Sequence, residues 1–103
     1  MDIKLAYVTV GSREEAERIA EAVVTEKLAA CANILSGVRS VFEWQGSICR
    51  EDETLLLLKT VAEQSEKLVV RIKEMHSYEC PCIVFLSLEG GNPDFLDWIR
   101  NSL

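Results

Sequence analysis

The order of patterned segments predicts an α+β domain: a ferredoxin-like βαββαβ sandwich with a long hairpin between its second and third strands and an extra C-terminal helix. Three observations carry this reading. The first is Leu55-Leu56-Leu57-Leu58, a continuous apolar run without helical spacing, bounded by polar residues. Alternate side chains of a strand face opposite ways, so four leucines in a row need cover on both faces and mark a central strand. The second is the alternation of β-rich runs with stretches of 3.6-residue apolar period. The third is Gln45-Gly46, a two-residue turn signal between two long extended arms.

The elements follow in chain order. Residues 3–10, IKLAYVTV, are β-rich and end at Gly11. Ser12 reads as an N-cap, with Glu15 three residues on to close a capping box. Ala16, Ile19, Ala20, Val23, Val24 and Leu28 then recur at helical spacing, with Arg13, Glu14, Glu17, Arg18 and Glu21 on the other side. From Cys31 to Leu35 the chain reads as extended, Ser36-Gly37 as a bend or bulge, and Val38 to Trp44 as strand again. Ser47 to Thr60 returns as the third strand, with Phe42 facing Cys49, Glu43 facing Ile48 and Trp44 facing Ser47. Thr60 with Glu63 suggests a second capping box, opening a helix through Leu68, Val69, Ile72 and Met75. Pro81 prevents that helix from continuing. Cys82 to Leu88 reads as the fourth strand. Asn92 caps a last helix with Pro93 at its first position, and Phe95, Leu96, Ile99 and Leu103 form its inner side. Right-handed crossovers insert the third strand between the first and second, placing the leucines inside the sheet.

Each hairpin arm has about 14 residues and can reach about 45 Å, whereas a first helix of about 16 residues spans about 24 Å. The hairpin therefore overhangs its own core and carries Val41, Phe42, Trp44 and Ile48 outward. Such a ribbon is a partner-binding arm. Together with the four leucines, it gives two separate reasons to expect a homo-oligomer.

The totals bound the rest. The chain has 103 residues, enough for one domain spanning 1–103 and too few for two. A hydrophobic content of 49% and a charged content of 27% are ordinary for a folded domain. Seventeen acidic against eleven basic residues give a net charge of -6, which disfavours nucleic acid or an anionic membrane surface as partner. No apolar run approaches the ~20 residues of a spanning helix, and Met1-Asp2-Ile3-Lys4 lacks the pattern of a signal peptide. The expected compartment is the cytoplasm, with Cys31, Cys49, Cys80 and Cys82 reduced.

No nucleophile elbow, phosphate loop or H-E-x-x-H motif is present, so an enzyme is not expected. The cysteine spacings match neither a paired C-x-x-C zinc site nor a thioredoxin motif. They read first as small buried hydrophobes, and alternatively as soft-metal or redox ligands. His76, just past a helix, reads either as a copper or zinc ligand or as a histidine favoured by the helix C-terminus. Glu51, Asp52 and Glu53 read as a solvated edge of the hairpin; alternatively, Glu53 and Lys59 line a subunit junction. Trp98 reads as core packing, or as the cover of such a pocket.

Glu26-Lys27-Leu28-Ala29-Ala30-Cys31-Ala32-Asn33, Phe42-Glu43-Trp44-Gln45-Gly46, Leu58-Lys59-Thr60, Met75-His76-Ser77-Tyr78-Glu79-Cys80-Pro81 and Phe95-Leu96-Asp97-Trp98 together resemble the CutA, or divalent-cation-tolerance, family. The resemblance runs nearly end to end. It implies a homotrimer knit by the long hairpin and an architecture similar to PII-type signalling proteins. It also implies non-catalytic tolerance to, and binding of, copper or another divalent metal. The family's proposed copper ligands are a first-strand cysteine and two adjacent histidines; here Val8 and Met75-His76 stand at those positions. His76 with Cys31, Cys80 and Cys82 is the ligand set expected of this chain. Two alternatives stand beside metal binding. One is a PII-like sensor holding a small molecule between subunits through Trp44, Glu53, Lys59, His76, Tyr78 and Trp98. The other is a trimeric scaffold that anchors partner proteins.

Overall fold

The computed structural model describes residues 2–103; Met1, the first residue of the expected domain, lies outside the described residues. The chain runs β1 (Ile3–Val10), α1 (Arg13–Thr25), β2 (Cys31–Trp44), β3 (Ser47–Val61), α2 (Ser65–Met75), β4 (Ile83–Ser87) and α3 (Pro93–Asn101), with one 3-10 turn at Ala62–Gln64 before α2. The four strands form one antiparallel sheet in the order β2-β3-β1-β4, with β3 inside as the leucine run required.

Strand alternation divides β3 between two environments. Leu56 lies opposite Val8 and Ile34, and Leu58 opposite Ala6 and Ala32. These positions face α1 and α2, and Ala6, Val8, Leu56 and Leu58 are fully buried with Ile19, Val23, Leu68 and Ile72. Fully burying a side chain of this size contributes roughly 1.5–3 kcal/mol, so this face holds the protomer together. The other face carries Leu55 and Leu57, each only partly buried. At one end of it α3 packs Ile99 on Ile3, Ala30 and Val61. Elsewhere it is bare, with Leu35, Val84 and Leu86 each about half exposed.

The hairpin has the predicted form. Phe42 pairs with Cys49, Glu43 with Ile48 and Trp44 with Ser47. Gln45 and Gly46 both take positive φ, 51° and 83°, which gives the primed turn that matches strand twist. The pairing slips between Leu35 and Val38, where Gly37 at φ 88° supplies the bulge. The molecule is 45 Å along its longest axis against 25 and 22 Å across. Val41, Phe42, Trp44 and Ile48 are 41–64% exposed on the arm.

Several local expectations are corrected. Ser12 caps α1 by accepting from the Glu15 amide, 3.2 Å, but the Glu15 carboxylate turns inward instead of closing the box. Thr60 caps nothing: it is fully buried and its hydroxyl donates to the Leu28 carbonyl at 2.7 Å. No side chain caps α2, which opens from the 3-10 turn. β4 is shorter than expected, Ile83–Ser87, leaving Cys82 and Leu88 outside it. Asn92 does cap α3, accepting from the Asp94 amide. Of the expected inner side of α3, Ile99 is buried but Phe95 is 41% exposed and stacks on Trp98, itself 47% exposed. Trp98 is thus not core. Nor are the cysteines: Cys31 and Cys49 are half-buried, and Cys80 and Cys82 are exposed.

Candidate functional site

A cleft of about 440 Å³ lies where the hairpin arm meets the connection from α2 to β4. Its arm side follows from register. The pairs Val38–Glu53, Ser40–Glu51 and Phe42–Cys49 put Phe42, Trp44, Cys49, Glu51 and Glu53 on one face of the ribbon. The opposite wall is Tyr78, Glu79 and Cys80. Across the cleft floor the Tyr78 hydroxyl donates to Glu53 Oε2 at 2.8 Å.

Tyr78 is held there by a latch of buried polar groups. α2 ends at Met75, and the His76 amide still donates to the Ile72 carbonyl at 2.8 Å. The His76 side chain then turns into the protein, where Nε2 lies 2.8 Å from the Thr9 carbonyl. A carbonyl only accepts, so Nε2 carries the proton and Nδ1 is left as an acceptor. Nδ1 takes the Tyr78 amide at 3.1 Å. The inward-turned Glu15 carboxylate accepts from the Ser77 amide at 2.8 Å and lies 3.6 Å from His76 Nδ1. The His76 and Tyr78 rings sit 4.7 Å apart. At Gly11 an added Cβ would come within 3.3 Å of the Tyr78 hydroxyl, so the absent side chain gives the ring its place. Burial, then the hydrogen bond to Glu53, pushes the Tyr78 phenol up to about 12, which keeps it a donor at neutral pH.

The residues expected to act together fall into separate places. Trp44, Glu53 and Tyr78 meet at the cleft, with His76 behind Tyr78. Lys59 is six residues along β3 from Glu53, about 20 Å away. Its Nζ donates to Asn33 Oδ1 at 2.7 Å and lies 6.0 Å from the Phe95 ring, beside Trp98. Glu53 and Lys59 are therefore not an ion pair within one protomer. The expected metal ligands are not gathered either. Both ring nitrogens of His76 are engaged internally. Cys31 lies on β2 opposite Lys59 of β3, while Cys80 and Cys82 lie exposed before β4. Among the described residues, no group of three or more His, Cys, Asp or Glu could hold a metal ion. The donor set of one protomer thus does not fit a complete metal site.

Glu79 and Thr9 contribute to the cleft or its latch without having been singled out from sequence, and Glu15 was singled out only as a capping residue. Hairpin register already placed Phe42 opposite Cys49, and strand alternation puts Glu51 on the same face as Glu53. That Glu79 and Cys80 face this ribbon is a tertiary contact with no local signal.

Fold and cleft define the class first: a ferredoxin-like α+β domain with an overhanging β2–β3 ribbon and an incompletely covered sheet. The family is then plain. The model of the CutA1 divalent ion tolerance protein family matches residues 4–102, and the chain belongs to that family. It is 43% identical to the divalent-cation tolerance protein CutA of Thermus thermophilus, covering 96% of both chains. It is 40% identical to the chloroplastic protein CutA of Arabidopsis thaliana over 95% of this chain, but spans only 54% of that longer protein. The crystal structure of CutA1 from Oryza sativa superposes with a TM-score of 0.96 at 37% identity, covering 99% of this chain and 94% of that one. The Archaeoglobus fulgidus structure, described as a periplasmic divalent cation tolerance protein, gives 0.94 at 41% identity. Compartment therefore varies among the relatives' descriptions. No helix among the described residues is long and apolar enough to cross a membrane.

Proposed function

We propose that the protein is a non-catalytic homotrimer that binds divalent metal, copper foremost, in a reducing cytoplasm. The carrying observation is the unfinished second face of the sheet. Leu35, Val84 and Leu86 stand about half exposed beside Leu55 and Leu57, continuous with the apolar arm. A patch of this kind marks an interface, and a second copy of the same ribbon and face is the partner of matching chemistry. The number three follows the family resemblance. Because one protomer gathers no three metal donors, the metal reading requires ligands from more than one copy. The exposed thiols of Cys80 and Cys82 are the soft donors that this chain brings to such a site. Membership of a divalent ion tolerance family supports the same reading.

Native mass spectrometry of the reduced protein, with and without stoichiometric copper, tests both parts. A trimer that retains a fixed number of copper ions against a mild chelator, and loses them in a Cys80→Ser/Cys82→Ser variant, agrees with the proposal. Loose, graded adducts unaffected by that variant would refute copper as the ligand, and a monomer would refute the assembly.

A further inference from the structure

The ribbon that overhangs the core has a hinge at its root. β1 pairs with β3 only as far as Val10–Thr54. From Glu53 outward, β3 keeps β2 as its strand partner, and that pairing slips between Leu35 and Val38 just as the ribbon leaves the sheet. A bulge bends the strand that carries it, and a two-stranded ribbon without a third strand or a packed helix is weakly held. Gly37 sits in this bulge at φ 88°, and among the described residues nothing lies within 4 Å of where its Cβ would be. Packing at Gly37 therefore does not fix the direction of the arm.

The first pair beyond the bulge is Val38–Glu53, and Glu53 is the residue that Tyr78 grips. Of the side-chain hydrogen bonds among the described residues, Tyr78 to Glu53 is the one that joins this ribbon to the rest of the protomer. Those of Arg39 with Asp52 and of Cys49 with Ser47 stay within the ribbon. Tyr78 is itself fixed on the core side. Its ring lies against Gly11, just past β1, where an added Cβ would meet it at 3.3–3.7 Å. Its amide is held by His76, which is bonded through Nε2 to the Thr9 carbonyl of β1, and the Ser77 amide is held by Glu15 of α1.

We propose that Tyr78 is a strut. Backed by His76 and Glu15, it sets the angle of the β2–β3 ribbon at the bulge, so that the arm is aligned for a second copy of the chain before the two meet. This role rests on the homo-oligomer proposed above and adds the device that prepares the arm for it. A ribbon that must find its direction during docking carries an ordering penalty and docks more slowly. One held at its root presents Val41, Phe42, Trp44 and Ile48 in a single arrangement. Every contact of the strut lies within one protomer, so it is in place before assembly.

Assembly kinetics of the full chain test it. Protein diluted from urea is followed at several concentrations by light scattering, which reads association, and by far-ultraviolet circular dichroism, which reads folding of the protomer. Tyr78→Ala should slow association about tenfold, within the range over which on-rates of one interface vary. Tyr78→Phe, which keeps the ring in its corner but loses the bond to Glu53, should slow it several-fold. Leu56→Ala, which weakens the core without touching the strut, should leave the association rate of the folded protomer unchanged. Wild-type association rates in both Tyr78 variants would overturn the strut and leave the homo-oligomer standing. So would a slowing confined to the folding phase, or an equal slowing in Leu56→Ala. A wild-type protein that stays monomeric would refute the assembly itself, and the strut with it.

Discussion

The two faces of β3 are built from the same four leucines and finished in opposite ways. Leu56 and Leu58 meet two helices and are fully buried, whereas Leu55 and Leu57, one residue away, look out from a face that only α3 covers, and only at one end. Equal hydrophobicity therefore does not mean equal role. One pair secures the protomer, and the other is available to an assembly. If this contrast is right, the two pairs respond differently to substitution. Leu56→Ala or Leu58→Ala should cost about 2–5 kcal/mol in urea unfolding, because a cavity opens in a packed core. A loss below ~1 kcal/mol would mean that the helix face is not the tight one.

The open face should fail in a different observable. Leu57→Glu, or Trp44→Glu on the arm, leaves the helix-side core untouched but places a charge in the proposed subunit contact. The expected outcome is loss of the oligomer in light scattering, as monomer or aggregate, while far-ultraviolet circular dichroism keeps the helical signal. An oligomer that survives both changes would break the comparison, since the second face would then be solvated by design.

This division also governs what could be read from the sequence. Strand order, the Gln45-Gly46 turn, the bulge near Gly37 and the caps at Ser12 and Asn92 were legible because periodicity, turn chemistry and capping are local. The Thr60–Glu63 box misled because the pattern is local but the outcome is not. Thr60 lies on the packed face of β3, where an unpaired hydroxyl would be costly, and the Leu28 carbonyl in the α1–β2 connection claims it. Glu15 left its box for the same reason, drawn to the Ser77 amide and the vicinity of His76. Trp44, Glu53 and Tyr78 were chosen as one group with Lys59 and Trp98. Strand spacing alone separates Glu53 from Lys59, but where the α2–β4 connection lands could not be counted off in the chain. Hence Glu79 was missed, and His76, which resembles a ligand in sequence, serves in the structure as the pivot of a latch.

That latch lies where the core meets the arm, and it predicts a smaller effect than either face. Tyr78→Phe removes the one hydrogen bond that the described residues make to the Glu53 carboxylate, at a cost of about 1–3 kcal/mol for a buried acceptor, toward the low end because the cleft admits water. Its signature is the pH dependence. The folded-state phenol is raised from 10 to about 12. The neutral form is thus favoured by folding, and the associated stability is complete below pH 10 and lost as pH rises toward 12. Wild type should lose stability across that alkaline window, and Tyr78→Phe should lose less of it. Parallel curves for the two proteins would show that the Tyr78–Glu53 contact is not held in solution.

The Ser12 cap is the smallest test and serves as a control on the others. Its side chain accepts the Glu15 amide at the start of α1 and touches neither the open face nor Glu53. Ser12→Ala should cost about 1 kcal/mol in urea unfolding, with oligomeric state and the alkaline transition unchanged. Because Glu15 also carries the Ser77 amide, fraying at this end could propagate into the latch. If Ser12→Ala shifts the Tyr78 transition as well, α1 and the α2–β4 connection open as one unit, and the cleft depends on the helix face more closely than the two-face contrast allows.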